Sequence, residues 1–149
     1  KLFDKNISSV KFVFEAANSI SNDDVILSER VYISSTRLIG FESGRIGPKD
    51  GEDFIGGNFA YSLNFSTTIP QLLDQSQNLE FLFFIDTANV WGVDYQNSLD
   101  DSGSIRSSTG IALDWYSPIG PFNFSLAYPI TKEKGDKTET FRFNLGTTF

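Results

Sequence analysis

The sequence predicts an all-β fold, an antiparallel sheet of the transmembrane-barrel kind, on three observations. Six stretches alternate apolar and polar residues with a period of two. Four of their opposite faces carry only small or polar groups, as a wall facing a wet lumen does. The connections between them run long, short, long, short, moderate, the asymmetry of extracellular loops and periplasmic turns. No window approaches the roughly 20 apolar residues of a membrane helix.

Taken in order, the first strand falls near 10–17, with Val10, Phe12, Phe14 and Ala16 alternating with Lys11, Val13, Glu15 and Ala17. The second, near 58–69, sets Phe59, Tyr61, Leu63 and Phe65 against Ala60, Ser62, Asn64 and Ser66. The third, near 79–90, is the least clean, because Leu82 and Phe84 share a face with Glu80 and Asp86. The fourth, near 106–116, opposes Ile111, Leu113 and Trp115 to Gly110, Ala112, Asp114 and Tyr116. The fifth, near 121–129, follows the Ser117-Pro-Ile-Gly-Pro121 turn, whose prolines remove backbone donors at the strand ends. The sixth, near 139–149, puts Phe141, Phe143, Leu145 and Phe149 on one face and Arg142, Asn144, Gly146 and Thr148 on the other. A soluble sandwich shows the same alternation with its apolar face on a core.

Fifteen phenylalanines in 149 residues suit a lipid-facing surface or such a core. A net charge of −7 with no basic stripe argues against a nucleic-acid partner. The acids gather in presumptive loops (Asp23-Asp24, 50–53, Asp100-Asp101) and read as solvated surface rather than metal sites. With neither cysteine nor histidine, disulfides, thiolate sites and histidine-based catalysis or metal binding are excluded within this stretch. Asp114 and Tyr116 on one face could suggest acid chemistry, but scattered lumen polars are the commoner explanation. A non-enzymatic protein without metal or cofactor is expected. Six strands cannot close a transmembrane barrel, whose minimum is about eight. With Lys1 first and no methionine, the chain reads as the C-terminal part of a larger barrel.

The connection at 18–57 is the anomaly, because structureless loops beyond about 15 residues are uncommon unless functional or disordered. It contains Val25, Ile26, Leu27, Val31, Tyr32, Ile33, Leu38, Ile39, Phe41, Phe54 and Ile55, too apolar for disorder. It is expected to pack inside its own barrel. Gly40, Gly44 and Gly47 read either as turn residues or as sites where the loop lies flat against the wall.

Within this loop, Ser34-Ser-Thr-Arg-Leu-Ile-Gly-Phe41, then Ser43-Gly-Arg-Ile-Gly-Pro48, then Gly56-Gly57 resemble the sixth extracellular loop of BamA-type outer-membrane assembly factors. The same order continues through Phe84-Ile-Asp-Thr-Ala-Asn-Val-Trp91, Trp115-Tyr-Ser-Pro-Ile-Gly-Pro121 and the closing Phe-x-Phe-Asn-Leu-Gly-Thr-Thr-Phe. The resemblance implies the last six strands of a sixteen-stranded barrel, with periplasmic modules ahead of Lys1 and a bacterial outer-membrane location. It makes Arg37, Leu38, Ile39, Gly40, Phe41, Gly47 and Pro48 the loop motif. It makes the final strand, with Phe141, Phe143, Leu145, Gly146 and Phe149, one side of a lateral gate.

The chain departs from that family at two linked points. The family's tip reads Val-Arg-Gly-Phe, its arginine reaching carboxylates on the inner wall, and here that position is Ile39. One wall carboxylate falls on Asn64, while the other remains as Asp86. Loss of the cation together with one acid is chemically sensible, since a buried carboxylate without its cation is strongly unfavourable. Arg37 is favoured over Arg45 as a substitute partner for Asp86; hydrogen bonds from neutral wall groups or water are the alternative.

Three functional classes follow. The first is an assembly factor that folds and inserts outer-membrane proteins, with unfolded barrel clients, accessory lipoproteins and the lipid bilayer as partners. The second is a secretion pore of the same superfamily. The third is a passive porin-like barrel, which leaves the loop motif unexplained.

Overall fold

Strands are set here by alternation and broken by glycine and proline. The computed structural model describes residues 6–20, 24–69, 78–94, 99 and 104–146. Its strands are β1 (Ser8–Ala16), β2 (Lys49–Asp50), β3 (Asp53–Phe54), β4 (Phe59–Thr68), β5 (Leu79–Trp91), β6 (Arg106–Ser117), β7 (Gly120–Thr131) and β8 (Phe141–Leu145). Six form one sheet in the order β1-β4-β5-β6-β7-β8, every neighbouring pair antiparallel. The two short strands β2 and β3 make a small hairpin inside the 18–57 loop.

β4 to β7 are 10 to 13 residues long, enough for a tilted strand to cross a bilayer. Ser117 pairs with Gly120, so Pro118 and Ile119 alone form the β6–β7 turn. Near the other end of that hairpin the register slips between Ser107 and Ser108, opposite Pro129, where a proline cannot donate to the ladder. β8 begins only at Phe141, two residues later than the alternation suggests. Glu139 N–H bonds the Gly40 carbonyl instead of β7, and Thr138 bridges to Phe41. Gly146, at φ 83°, closes β8, its N–H on the Pro121 carbonyl. Phe149 lies outside the described residues.

The two faces of the sheet are opposite in character. One is bare and apolar: Val10, Phe12, Phe14, Ile85, Ile111, Leu126, Tyr128, Phe141, Phe143 and Leu145 are all exposed. Its rings stack near each end, Phe14, Phe59, Tyr61 and Trp91 in one group and Trp115, Phe122, Phe124 and Phe143 in the other. The other face holds Ser62, Asp86, Ser108, Asp114, Asn123 and Ser125, all buried. A soluble sandwich would bury the first face and wet the second. So large a continuous apolar surface needs a nonpolar surrounding, which a bilayer supplies.

The polar face is covered by the 18–57 loop, and much of the interface is dry. Ile33, Leu38, Phe41 and Ile46 pack onto Ala60, Ala88 and Val90, while Ile39 packs among Leu82, Phe84, Ala112 and Ala127. The small residues of this face therefore make room for loop side chains. Leu82 and Phe84, the apolar intruders on the inner face of β5, are explained by their contact with Ile39.

Candidate functional site

The loop tip is built around one peptide unit. Arg37 N–H and Leu38 N–H both bond the Ser34 carbonyl, a tight turn that buries Leu38 completely and presents Ile39 to the wall. There Asn64, Asp86 and Ser108 lie in register across β4, β5 and β6. Ile39 N–H donates to Asp86 Oδ2 at 3.1 Å, and Ser108 Oγ donates to the Ile39 carbonyl. Asn64 Nδ2 donates both to the Arg37 carbonyl at 2.7 Å and to Asp86 Oδ1 at 2.9 Å. Three side chains from three strands thus hold the backbone of residues 37–39.

Neither arginine considered as a cation for Asp86 takes that place. Arg37 turns toward β1 and forms a two-pronged ion pair with Glu15, at 2.5 and 2.6 Å. That hydrogen-bonded pairing holds the Arg37 guanidinium above its ordinary pKa. With Leu38 in the buried slot, position 37 faces the partly exposed margin. Arg45 stacks over the Phe54 ring at 5.8 Å. Asp86 is instead held by a backbone amide and a carboxamide, the neutral alternative.

Two glycines let the tip approach this closely. Gly40 and Gly47 both sit at φ 97°, and a Cβ on either would stand 3.0 Å from the Cβ of Ala127 or Val90. Turn geometry and close approach to the wall coincide there. Gly44 meets only Tyr32, at 3.6 Å, and serves the turn alone. Phe41 and Pro48 are fully buried. Below the tip lies a cavity of about 250 Å³, lined in part by Lys11, Thr36, Asn64, Asp86, Asn123 and Asn144.

The sheet thus carries a bare apolar face and a polar face with a loop clasped to it. The Omp85 superfamily domain matches residues 1–149. The chain belongs to the Omp85 superfamily. It is 33% identical over 132 residues to the outer membrane protein assembly factor BamA of Neorickettsia risticii, covering 87% of this chain and 18% of that protein. It is 32% identical over 145 residues to a SAM50-like protein of Schizosaccharomyces pombe, covering 90% of this chain and 30% of that one. Among solved structures it matches BamA from Haemophilus ducreyi lacking POTRA domains 1–3, with a TM-score of 0.83 at 32% identity, over 93% of this chain and 31% of that one. The chain thus spans less than a third of each of these relatives.

Within this Omp85 wall several structural residues carry no local motif. Ser108 is recognisable only through its register with Asp86. Glu15 is one acid among many. Arg106 and Asp136 form a buried ion pair, with side chains 1% and 2% exposed. Its signal was an arginine at the head of the run Ser108, Gly110 and Ala112 on one strand face. The run Lys132-Glu-Lys-Gly-Asp-Lys137 hid its partner, because such a run reads as solvated surface.

Proposed function

We propose that this chain is the C-terminal portion of an outer-membrane barrel that folds and inserts other barrel proteins through a lateral gate. The observation that carries the reading is the likeness to relatives named outer membrane protein assembly factors, over most of this chain. The last strand supports it: among the described residues β8 spans Phe141–Leu145 and is followed by Gly146 at φ 83°. A strand edge in hydrocarbon is unstable until paired, so a short strand that pairs weakly with its closing neighbour is a template for an incoming one.

On this reading the partners are unfolded outer-membrane clients, accessory lipoproteins and the bilayer, and the location is a bacterial outer membrane. Upstream strands complete the barrel to sixteen, and periplasmic modules precede it. The loop motif Arg37 to Phe41, with Gly47 and Pro48, keeps the lumen closed through Asp86 and Asn64 while the gate at Phe141, Phe143, Leu145, Gly146 and Phe149 opens. The protein supplies no covalent chemistry: it lowers the barrier to insertion by offering backbone partners.

The test is to place the full-length protein in liposomes with a urea-unfolded barrel client and follow protease-protected folded client over time. Insertion faster than into empty liposomes is expected. No acceleration, but ion conductance or passage of an unfolded chain, would move the protein to the secretion or porin class.

A further inference from the structure

The Arg106 guanidinium, buried at the start of β6, makes at least four hydrogen bonds among the described residues. Nε and one Nη grip the Asp136 carboxylate at 2.9 and 3.2 Å, and the other Nη donates to Asn89 Oδ1 at 2.9 Å and the Ser104 carbonyl at 3.1 Å. Asp136 also accepts the Glu133 N–H at 2.8 Å, which closes the connection between β7 and β8 into a tight turn. Directly after Asp136 the chain pairs with the loop tip. Glu42 N–H bonds the Lys137 carbonyl, Lys137 N–H bonds the Arg45 carbonyl, and Glu139 N–H bonds the Gly40 carbonyl. Two residues further on, β8 begins.

We propose that Arg106 is a positioning residue, a latch that fixes 136–139 so that the seated loop and the first residues of β8 move as one unit. A rigid planar fork suits this role, because it fixes the direction of the carboxylate as well as its distance. A buried pair also resists partial opening, since either charge left alone in the interior is strongly unfavourable. The latch itself stands on this geometry; its consequence for the gate rests on the assembly function proposed above. With the latch closed, the start of β8 is tied to the loop clasped by Asn64, Asp86 and Ser108. With it open, the loop can stay on the wall while 136–139 and β8 swing free.

The experiment is hydrogen–deuterium exchange on the full-length protein in lipid nanodiscs, with folded barrels identified by heat-dependent gel migration. In Arg106→Met the amides of Glu42, Lys137 and Glu139 are expected to exchange at least about tenfold faster, while amides in the middle of the β5–β6 ladder, such as Ile111, stay unchanged. A merely structural role would speed both sets together. Exchange within about twofold of the unaltered protein at those three amides, in a folded barrel, would overturn the proposal. If Arg106→Met does not fold, Arg106→Met/Asp136→Leu removes both charges and is expected to show the same local acceleration. In the unaltered protein the three amides should share one protection factor; a spread beyond about tenfold would also overturn it. Client insertion is read in parallel. Slower insertion with unchanged exchange refutes the latch and leaves assembly standing. Faster exchange in a protein that never inserts clients refutes assembly and leaves the latch.

Discussion

Asp86 on β5 accepts the backbone N–H of Ile39 at 3.1 Å, so an acid of the wall holds the loop through its main chain rather than through a cation. The same carboxylate takes the Asn64 carboxamide at 2.9 Å. That carboxamide bonds the Arg37 carbonyl in turn, so one donor group ties wall to wall and wall to loop.

Replacing Asp86 with asparagine keeps the shape and removes one acceptor. The new NH₂ would face either the Ile39 N–H or the Asn64 NH₂, leaving a buried donor unmatched at a cost of about 1–3 kcal/mol. Tryptic cleavage within the loop of the full-length protein should speed up by roughly tenfold. Unchanged protection would show that Asp86 does not hold the tip.

Asn64→Asp should be worse, because it loses the donor to Asp86 and sets two carboxylates side by side without a cation. Adding Ile39→Arg returns the arginine that the resemblance to BamA-type loops implies for this position. The double variant should recover at least about 1 kcal/mol relative to the sum of the singles in a double-mutant cycle of thermal unfolding. Simple additivity would contradict the linked loss of cation and acid.

Gly40→Ala meets two obstacles at once, a φ of 97° and a Cβ 3.0 Å from that of Ala127. A cost of about 1–3 kcal/mol is expected from the backbone alone. Loop proteolysis should rise, and the unfolding temperature should fall. Gly44→Ala, with its nearest neighbour at 3.6 Å, should cost less.

Glu15→Gln breaks the Arg37 pair, whose side chains are 27% and 36% exposed. Solvent screening limits its worth to about 1 kcal/mol or less. The loop should stay seated, and the small difference from the unaltered protein should shrink further in high salt. A loss as large as that of Asp86→Asn would overturn this ranking.

The strands and their faces were legible because a pleat has a period of two, so Phe141, Phe143 and Leu145 declare one side with no knowledge of neighbours. The packed loop was legible because Leu38, Ile39 and Phe41 are too apolar to lie in water. The destination of Arg37 was not legible. It depends on which residue of the Ser34 turn takes the buried slot, and Leu38 wins by burying completely. The start of β8 was hidden for a related reason. Alternation cannot reveal that Thr138 and Glu139 pair with a loop some hundred positions earlier in the chain rather than with the adjacent strand.

The central claim of the proposed function is that β8 receives incoming strands. The direct measurement places a photo-crosslinking residue at Asn144 of the full-length protein, illuminates it during client insertion and analyses the adducts. The account predicts crosslinks to a β-strand segment of the client that appear while insertion proceeds and vanish once the client is released. Insertion at full rate with no client adduct at Asn144, while equivalent positions elsewhere on the wall do crosslink, would contradict it.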